Sequence, residues 1–237
     1  MPLTSEQRDL LKGVTTATIT TILLKRGIRR SWMKGPVPLI VDQERVVGEA
    51  FTLRFVPMRE DLATPESWSS PRSTRAAIEK MPEGAVVVAD AMGFNEAGIF
   101  GDILLERMKR RGVAALVTDG AMRDGAGVAE VGMPVWCQGL AAPPSIAGLT
   151  FAGWQEPVGC GGAAVFPGDV IVADDDGAVV VPAGLVGHVC GLGPEQERLE
   201  GWLMEEVRGG AELPGLYPPN EETKKRYAAW KESGEGE

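Results

Sequence analysis

The sequence has few of the residues on which several common catalytic centres depend. It contains one histidine, His188, and three cysteines, Cys137, Cys160 and Cys190, which are widely spaced and form no Cys-x-x-Cys pair. A histidine-based zinc centre and a Ser-His-Asp triad therefore lack their usual residues, and no disulfide framework is indicated. We expect the three cysteines to be small buried residues in a reducing compartment.

Basic residues and long apolar runs are also scarce. The chain has 24 lysines and arginines against 33 acidic residues, a formal net charge of -9. That balance argues against general affinity for nucleic acid or anionic membranes. No apolar run approaches the roughly 18 residues of a membrane span, and the N-terminal MPLTSEQRDLLKGV carries charges where a signal peptide is apolar. We expect a cytoplasmic protein without nucleic-acid or membrane partners.

The residues that are present suit one globular domain with extensions at either end. The 237 residues are 44% hydrophobic and 24% charged, ordinary values for a chain that buries a sizeable core. In the N-terminal part we predict a helix over Ser5–Lys25 ended by Gly27, a strand over Val46–Val56 and a long polar loop over Pro57–Arg75. A loop of that length is usually functional or mobile.

The middle of the chain predicts a βαβ unit. Ala85–Ala89 and Val113–Thr118 are continuous apolar runs typical of buried parallel strands. Between them, a glycine-containing loop leads into a predicted helix over Asp102–Arg111, closed by Gly112. This order of elements makes a right-handed crossover the expected connection.

The C-terminal part alternates strands and helices. Pro167–Pro182 predicts a hairpin around an Asp-Asp-Gly turn, followed by a helix over Pro194–Val207. An extended connector, Leu213–Asn220, leads to a short helix over Glu221–Lys231, which needs something to pack on. Shorter predictions are a helix at Ala76–Lys80, a helix at Val128–Glu130, a strand at Pro134–Gln138 and irregular strands within Ala141–Gly162.

The stretch Gly93–Asp124 holds the candidate site. Twenty residues separate Asp102 from Arg123, enough for a helix and a returning strand to bring both to one edge of a sheet. The free amides at the start of the helix can hold a carboxylate or phosphate. The turn lacks both the P-loop ending and the spacing of a dinucleotide fingerprint. The alternative is a tight connection in which Asp102 only caps the helix.

Arg123 and Asp124 follow a buried strand, where ligands bind in open α/β sheets. An arginine there can clamp a carboxylate through two hydrogen bonds, and a carboxylate can anchor Mg²⁺. The alternative is a solvated ion pair at the start of the next helix.

The segments GDILLERMKRRGVAALVTDGAMRD and PGDVIVADDDGAVVVP, with the acidic helix after them, resemble the RraA-like family. That family includes class II 4-hydroxy-4-methyl-2-oxoglutarate/4-carboxy-4-hydroxy-2-oxoadipate aldolases and the RraA regulators of ribonuclease E. The resemblance implies an α/β fold, an αββα sandwich of the swivelling β/β/α type, assembled as a trimer or a dimer of trimers. It implies a catalytic domain over residues 1–210 and a C-terminal extension over 211–237.

The resemblance also implies the roles of individual residues. Gly101, Asp102, Ile103 and Leu104 match the segment that holds the pyruvyl end of the substrate, with the amides of Ile103 and Leu104 meeting its carboxylate. Arg123 matches the substrate-binding arginine, and Asp124 the ligand of Mg²⁺ or Mn²⁺. Asp102 would hold a metal-bound water as general acid or base. A glutamate from the neighbouring subunit completes the family's site; Glu200 or Glu197 is the nearest candidate here.

The function implied is that of a divalent-metal-dependent lyase acting on a 2-oxo acid. It would release pyruvate by retro-aldol cleavage, decarboxylate oxaloacetate, or both, through an enolate that the metal stabilises. Two alternatives stay open: a protein-binding regulator of ribonuclease activity, and a metal-dependent sugar-acid dehydratase. The long loop Pro57–Arg75 and the tail after residue 210 extend the family's common core and could reshape the pocket.

Overall fold

The computed structural model describes residues 2–234. Over this range seven α-helices are present, namely α1 (Ser5–Lys12), α2 (Thr16–Lys25), α3 (Thr74–Ile78), α4 (Asp102–Arg110), α5 (Gly125–Val131), α6 (Val186–Arg208) and α7 (Glu221–Glu232). The strands over the same range are β1 (Trp32–Met33), β2 (Val37–Pro38), β3 (Val46–Pro57), β4 (Val86–Asp90), β5 (Ala115–Thr118), β6 (Ala121–Met122), β7 (Val135–Cys137), β8 (Gly139–Leu140), β9 (Leu149–Trp154), β10 (Val170–Asp174) and β11 (Gly177–Val181).

One long strand, β3, joins the two halves of the sheet. Its first residues pair antiparallel with β10, and its middle pairs parallel with β4. The strand order is β1-β11-β10-β3-β4-β5-β7-β2, with β9 also paired to β3. The predicted parallel βαβ unit is confirmed as β4, α4 and β5, and the predicted hairpin as β10 and β11.

The two halves of the sheet pack face to face. Val86, Val88 and Val117 of the parallel half lie in one apolar cluster with Ile171 and Val180 of the hairpin half. The outer face of the parallel half packs against α4 and its neighbours, and the outer face of the hairpin half against α1, α2 and α6. The chain is therefore an αββα sandwich, as the family resemblance implies.

The two longest predicted helices were wrong in extent. The helix predicted over Ser5–Lys25 breaks into α1 and α2 because Glu197 accepts hydrogen bonds from the amide and hydroxyl of Thr15, 2.8 and 2.7 Å long. The Thr15 hydroxyl in turn caps α2. The helix predicted from Pro194 begins eight residues earlier, at Val186, because Val186, Val189 and other residues of its first turns are buried against the hairpin half.

Other predictions need smaller corrections. The loop over Pro57–Arg75 contains a 3-10 helix, Pro65–Ser69, and ends in α3. Within the region Ala141–Gly162, where irregular strands are predicted, β9 pairs antiparallel with β3, and its register shifts between Arg54 and Phe55. The terminal helix α7 is confirmed, and it packs on α6 through Trp202, Tyr227 and Trp230. The division at residue 210 stays a prediction.

Candidate active site

A cavity of about 370 Å³ lies where α4 and α5 begin, at the small end of the range for ligand pockets. Two arginines and two aspartates are the charged residues of its lining. The lining residues are Trp68, Arg75, Gly98, Ile99, Phe100, Gly101, Asp102, Ile103, Leu104, Arg123, Asp124, Pro144 and Ser145. Asp102, with twenty residues between it and Arg123 in the sequence, is thus brought to one pocket with Arg123 and Asp124.

The extended segment 98–100 builds one wall of the cavity. The amide of Ile99 donates to Ala121, and the amide of Arg123 donates to the carbonyl of Phe100, both at 2.9 Å. This pairing sets the start of α4 directly beside Arg123. The approach is so close that a β-carbon at Gly98 would lie 2.6 Å from the β-carbon of Arg123, so only glycine fits that position.

Arg123 and Asp124 form a pair whose polar atoms are not fully used. Nε of Arg123 lies 3.2 Å from Oδ2 of Asp124, yet this buried nitrogen makes no aligned hydrogen bond within residues 2–234. Both side chains are partly exposed to the cavity, 35% for Arg123 and 44% for Asp124. An arginine in that state can still accept a planar anion as a partner.

Asp124 has a backbone conformation that is uncommon for its residue type. Its φ and ψ are 55° and 44°, in the left-handed region, where a non-glycine residue usually costs about 1 kcal/mol or more. It occupies the N-cap position of α5, but its side chain makes no capping hydrogen bond. The strained backbone therefore turns the carboxylate toward the cavity and leaves it available to a ligand.

Asp102 is the first residue of α4, after the N-cap Gly101. Its Oδ1 accepts a hydrogen bond of 2.7 Å from the amide of Ile103, the amide that the resemblance assigns to the substrate carboxylate. The side chain also packs against α5, where a β-carbon at Gly127 would lie 2.9 Å from the β-carbon of Asp102. A ligand that uses the Ile103 amide must therefore displace the Asp102 carboxylate from it.

The two candidate glutamates lie on α6, outside the cavity lining. Glu197 holds Thr15 at the start of α2, and Glu200 accepts a 2.8 Å hydrogen bond from Gln196. Within one chain neither is brought to Arg123 and Asp124. The expectation that Glu200 completes the site of a neighbouring subunit stays a prediction.

Among the pocket residues that sequence reasoning missed are Trp68 and Arg75. Both come from the end of the long loop that the sequence marked as functional or mobile, and the guanidinium of Arg75 lies 4.8 Å from the centre of the Trp68 ring. The length of the loop was the one feature of the sequence that indicated a functional role for it. Its local pattern does not indicate which side chains reach the cavity.

Asp119 at the end of β5 is a further polar residue that the sequence did not single out. It is buried, and its carboxylate accepts hydrogen bonds from the amides of Ala91, Gly93 and Gly161, 2.7 to 3.1 Å long. Burial raises the pKa of Asp119. It ties three loops together beneath the sheet edge and lies outside the cavity lining.

The donor set at the cavity suits Mg²⁺ held largely by water and substrate. No cluster of three or more metal-binding side chains occurs among residues 2–234. Asp124 and Asp102 nevertheless place two carboxylates in one small polar cavity, and Mg²⁺ commonly binds one or two carboxylates and completes its shell with water and substrate oxygens. Asp124 fits such a role because no backbone amide occupies its carboxylate.

Over the same residues, none of the helices is long and apolar enough to cross a membrane.

Comparison with known proteins agrees with this architecture. The solved structure of RraAS2 from Streptomyces coelicolor, described as an unusual member of the RNase ES inhibitor RraA protein family, is 37% identical in sequence. The match covers 85% of this chain and 97% of that one, with a TM-score of 0.76.

Two curated relatives match over shorter stretches. A protein of Halalkalibacterium halodurans, provisionally named a 4-hydroxy-4-methyl-2-oxoglutarate aldolase, is 34% identical over 143 residues, 60% of this chain and 62% of that protein. Protein DlpA of Legionella pneumophila is 30% identical over 138 residues, 58% of this chain and 22% of DlpA. The chain thus spans less than two thirds of either relative.

The family model described as RraA-like, Aldolase/RraA, matches residues 16–180, which include all the candidate residues of the cavity and more than half of the chain. The protein therefore belongs to the RraA-like family.

Proposed function

We propose that the protein is a Mg²⁺- or Mn²⁺-dependent lyase that cleaves a carbon-carbon bond of a 2-oxo acid and releases pyruvate. The observation that carries the proposal is the pairing of Arg123 with Asp124 in a small cavity. Nε of Arg123 is buried without a hydrogen-bond partner, and the carboxylate of Asp124 makes no capping hydrogen bond to α5. The aldolase name of the H. halodurans relative supports the same class of reaction.

Arg123 would bind the 2-oxo acid and balance the negative charge that develops on it as the carbon-carbon bond breaks. Its guanidinium offers two parallel N–H groups to a planar anion, which a lysine cannot do. The first turn of α4 adds backbone amides and the positive end of the helix dipole at the same cavity. Together these groups favour an anionic substrate over a neutral one.

Asp124 would hold the metal, which supplies Lewis-acid polarisation of the substrate carbonyl when bound. Asp102 would move the proton, through a water molecule, to or from the reacting oxygen or carbon. For this its carboxylate must leave the Ile103 amide or share it with the substrate. The same residues serve retro-aldol cleavage and oxaloacetate decarboxylation, since both place negative charge on a pyruvate enolate.

The test is to measure pyruvate formed from 4-hydroxy-4-methyl-2-oxoglutarate and from oxaloacetate, with Mg²⁺ and with excess chelator. The rate without enzyme is subtracted, because oxaloacetate decarboxylates unaided. We expect metal-dependent pyruvate formation that Asp124→Asn abolishes. The matched control Asp175→Asn, at an exposed hairpin turn, should retain it. Absence of pyruvate from both substrates in the presence of metal would contradict the proposal.

A second candidate is a protein that binds and regulates a ribonuclease. The likeness to RraAS2, described as belonging to an RNase ES inhibitor family, supports it. A regulator would inhibit ribonuclease activity equally with Asp124 or Asn at position 124, because its function needs a surface rather than a metal. Inhibition assays with both forms, run beside the pyruvate assay, separate the two candidates.

A further inference from the structure

The cavity lining contains a second arginine, Arg75, which comes from a different part of the sequence than Arg123. Arg75 lies in α3, whose residues Thr74, Ala77 and Ile78 are buried. The hydroxyl of Ser73 caps that helix by accepting from the amide of Ala76 at 3.2 Å. The backbone that carries Arg75 is therefore fixed to the core, although the preceding loop is long.

Trp68 positions the side chain of Arg75. The guanidinium lies 4.8 Å from the centre of the indole ring, within the distance at which a cation is attracted to an aromatic face. Stacking of this kind leaves the edges of the guanidinium free to donate hydrogen bonds. Trp68 thus orients Arg75 without satisfying its charge.

Arg75 has no acidic partner, unlike several other arginines of the described residues. Arg59 pairs with Asp61, and Arg107 and Arg111 pair with Glu79, whereas no carboxylate lies within ion-pair distance of Arg75 in the described part of the chain. Partial burial lowers the pKa of Arg75, the direction expected when a cation loses water and gains no counterion. The group still carries its charge at neutral pH.

Each of the other charged side chains of the cavity has a polar group close to it. Asp124 lies at ion-pair distance from Arg123, and Asp102 accepts from the Ile103 amide. If Asp124 takes a metal and Arg123 takes the 2-oxo acid end of the substrate, Arg75 is left as a cation facing the rest of the substrate. A carboxylate is the group that an arginine fork binds best among the ends of small organic acids.

We propose that Arg75, stacked on Trp68, binds a second carboxylate at the end of the substrate remote from the 2-oxo acid group, and so makes the enzyme select diacids. This inference rests on the proposed function. It assigns a specificity role to a residue carried by the long loop and α3, outside the Asp102, Arg123 and Asp124 set. A five-carbon 2-oxo diacid is small enough for a cavity of about 370 Å³.

Equilibrium binding tests the proposal without requiring turnover. The probes are 2-oxoglutarate and 2-oxopentanoate, which share a five-carbon 2-oxo acid chain and differ in ending as a carboxylate or a methyl group. We expect the protein with Mg²⁺ to bind 2-oxoglutarate about tenfold more tightly, and Arg75→Gln to remove most of that preference. Arg72→Gln, which removes the same charge from the same loop outside this cavity, should keep it.

A kinetic arm uses 4-hydroxy-2-oxoglutarate and 4-hydroxy-2-oxopentanoate, which undergo the same retro-aldol cleavage. Arg75→Gln should lower the ratio of the two kcat/KM values about tenfold, mainly through KM for the diacid. Arg75→Lys should keep part of the preference, because the charge remains without the fork. The Arg72→Gln control should leave the ratio unchanged.

The two arms separate the failure of this inference from that of the proposed function. Equal binding of the two five-carbon acids, binding of neither, or a preference that survives Arg75→Gln would overturn the role of Arg75, whether or not pyruvate is formed. Preferential binding that depends on Arg75, with no cleavage of any substrate, would uphold the carboxylate site and reject the lyase.

Discussion

The carboxylate of Asp124 fills the space that a side chain at position 101 would need: a β-carbon on Gly101 would overlap Oδ2 of Asp124. The φ and ψ of Gly101 are -119° and -174°, an extended conformation open to any residue. Glycine is therefore needed at position 101 for space and not for backbone freedom. The start of α4 is packed directly against the Arg123–Asp124 pair. The position of the Asp124 carboxylate therefore limits which residues fit at position 101.

Substitution of the two cavity glycines should separate stability from activity. At Gly98 an added β-carbon meets the backbone amide of Arg123 at 2.7 Å, which cannot move without disrupting the pairing of segment 98–100. We expect Gly98→Ala to lower the free energy of unfolding by about 1–3 kcal/mol. At Gly101 the added carbon meets a side-chain carboxylate that can rotate away. Gly101→Ala should therefore cost less than about 1 kcal/mol but reduce kcat/KM at least tenfold.

Urea unfolding and the pyruvate assay measure both effects. Gly187→Ala is the control, since an added β-carbon there has no neighbour within 4 Å and the position is helical; alanine should be neutral or stabilising. Equal losses of stability for Gly98→Ala and Gly101→Ala would show that the carboxylate of Asp124 is held as rigidly as the backbone.

Arg123→Lys should lose most activity while leaving the fold intact. Lysine keeps the charge but not the two parallel N–H groups, and loss of one charge-stabilising donor in an active site typically costs about 100-fold or more in rate. The side chain is 35% exposed and makes no aligned hydrogen bond through Nε, so the melting temperature should change little. Steady-state kinetics with calorimetry checks this, and Arg72→Lys is the control. Full activity of Arg123→Lys would show that only the charge matters.

Two substitutions of Asp102 should distinguish proton transfer from helix capping. Asparagine retains an oxygen that can accept from the Ile103 amide, as Oδ1 of Asp102 does at 2.7 Å, but it cannot act as an acid or base. Alanine removes both functions and frees the amide. If Asp102 moves the proton, both variants should lose about 100-fold or more in kcat. Asp102→Ala should also bind oxalate, an unreactive planar diacid, at least as tightly as the unaltered protein.

A different result would exclude Asp102 from proton transfer. Normal turnover by Asp102→Asn, with reduced stability of Asp102→Ala alone, would leave Asp102 as a residue that only orders the first turn of α4. Oxalate binding measured by calorimetry, together with kcat, distinguishes the two cases.

The sequence predicts the middle of the fold well because its signals there are local. Apolar runs of β-branched residues give β4 and β5, and Gly112 ends α4 where the pattern expects it. The Asp-Gly hairpin is equally local. These elements also bring Asp102, Arg123 and Asp124 to one place, which is why the spacing between them was informative.

Other features depend on contacts between distant parts of the chain. The break between α1 and α2 depends on Glu197 and Asp174, which bind the amides of Thr15 and Thr16 from more than 150 residues away. The placing of Trp68 and Arg75 in the cavity depends on how the long loop folds over the sheet. Such contacts cannot be predicted from a local sequence pattern. Only the length of the loop indicated that it could have a functional role.

The three cysteines should be unreactive in the folded protein, in a defined order. All three are free and buried, and burial raises the pKa of each thiol, most strongly for Cys160. Because the thiolate is the reactive form, a disulfide reagent at pH 8 should react slowly before unfolding and with three equivalents after it. Cys190, 8% exposed against 1% for Cys137 and 0% for Cys160, should react first. Rapid native reaction of Cys160 would contradict its placement under β4.

The terminal helix α7 should depend on Trp202 for its order. The Trp202 ring lies 5.5 Å from that of Tyr227 and 6.4 Å from that of Trp230, between ring centres. Trp202 is 6% exposed. An isolated helix of twelve residues is marginal in water, and removal of a buried tryptophan typically costs about 3–5 kcal/mol. We therefore expect Trp202→Ala to abolish hydrogen-exchange protection over Glu221–Glu232 while β4 and β5 keep theirs.

A matched substitution shows whether packing or charge holds α7. Glu195 accepts hydrogen bonds from Tyr227 at 3.1 Å and Lys231 at 2.6 Å, but it lies near the surface, where such pairs contribute about 0–1 kcal/mol. Glu195→Gln should therefore leave most of the protection of α7. If Glu195→Gln released the helix as fully as Trp202→Ala, the ion pair would be the main anchor. If neither did, α7 would be held by Leu216 and the connector, which lie against the same cluster.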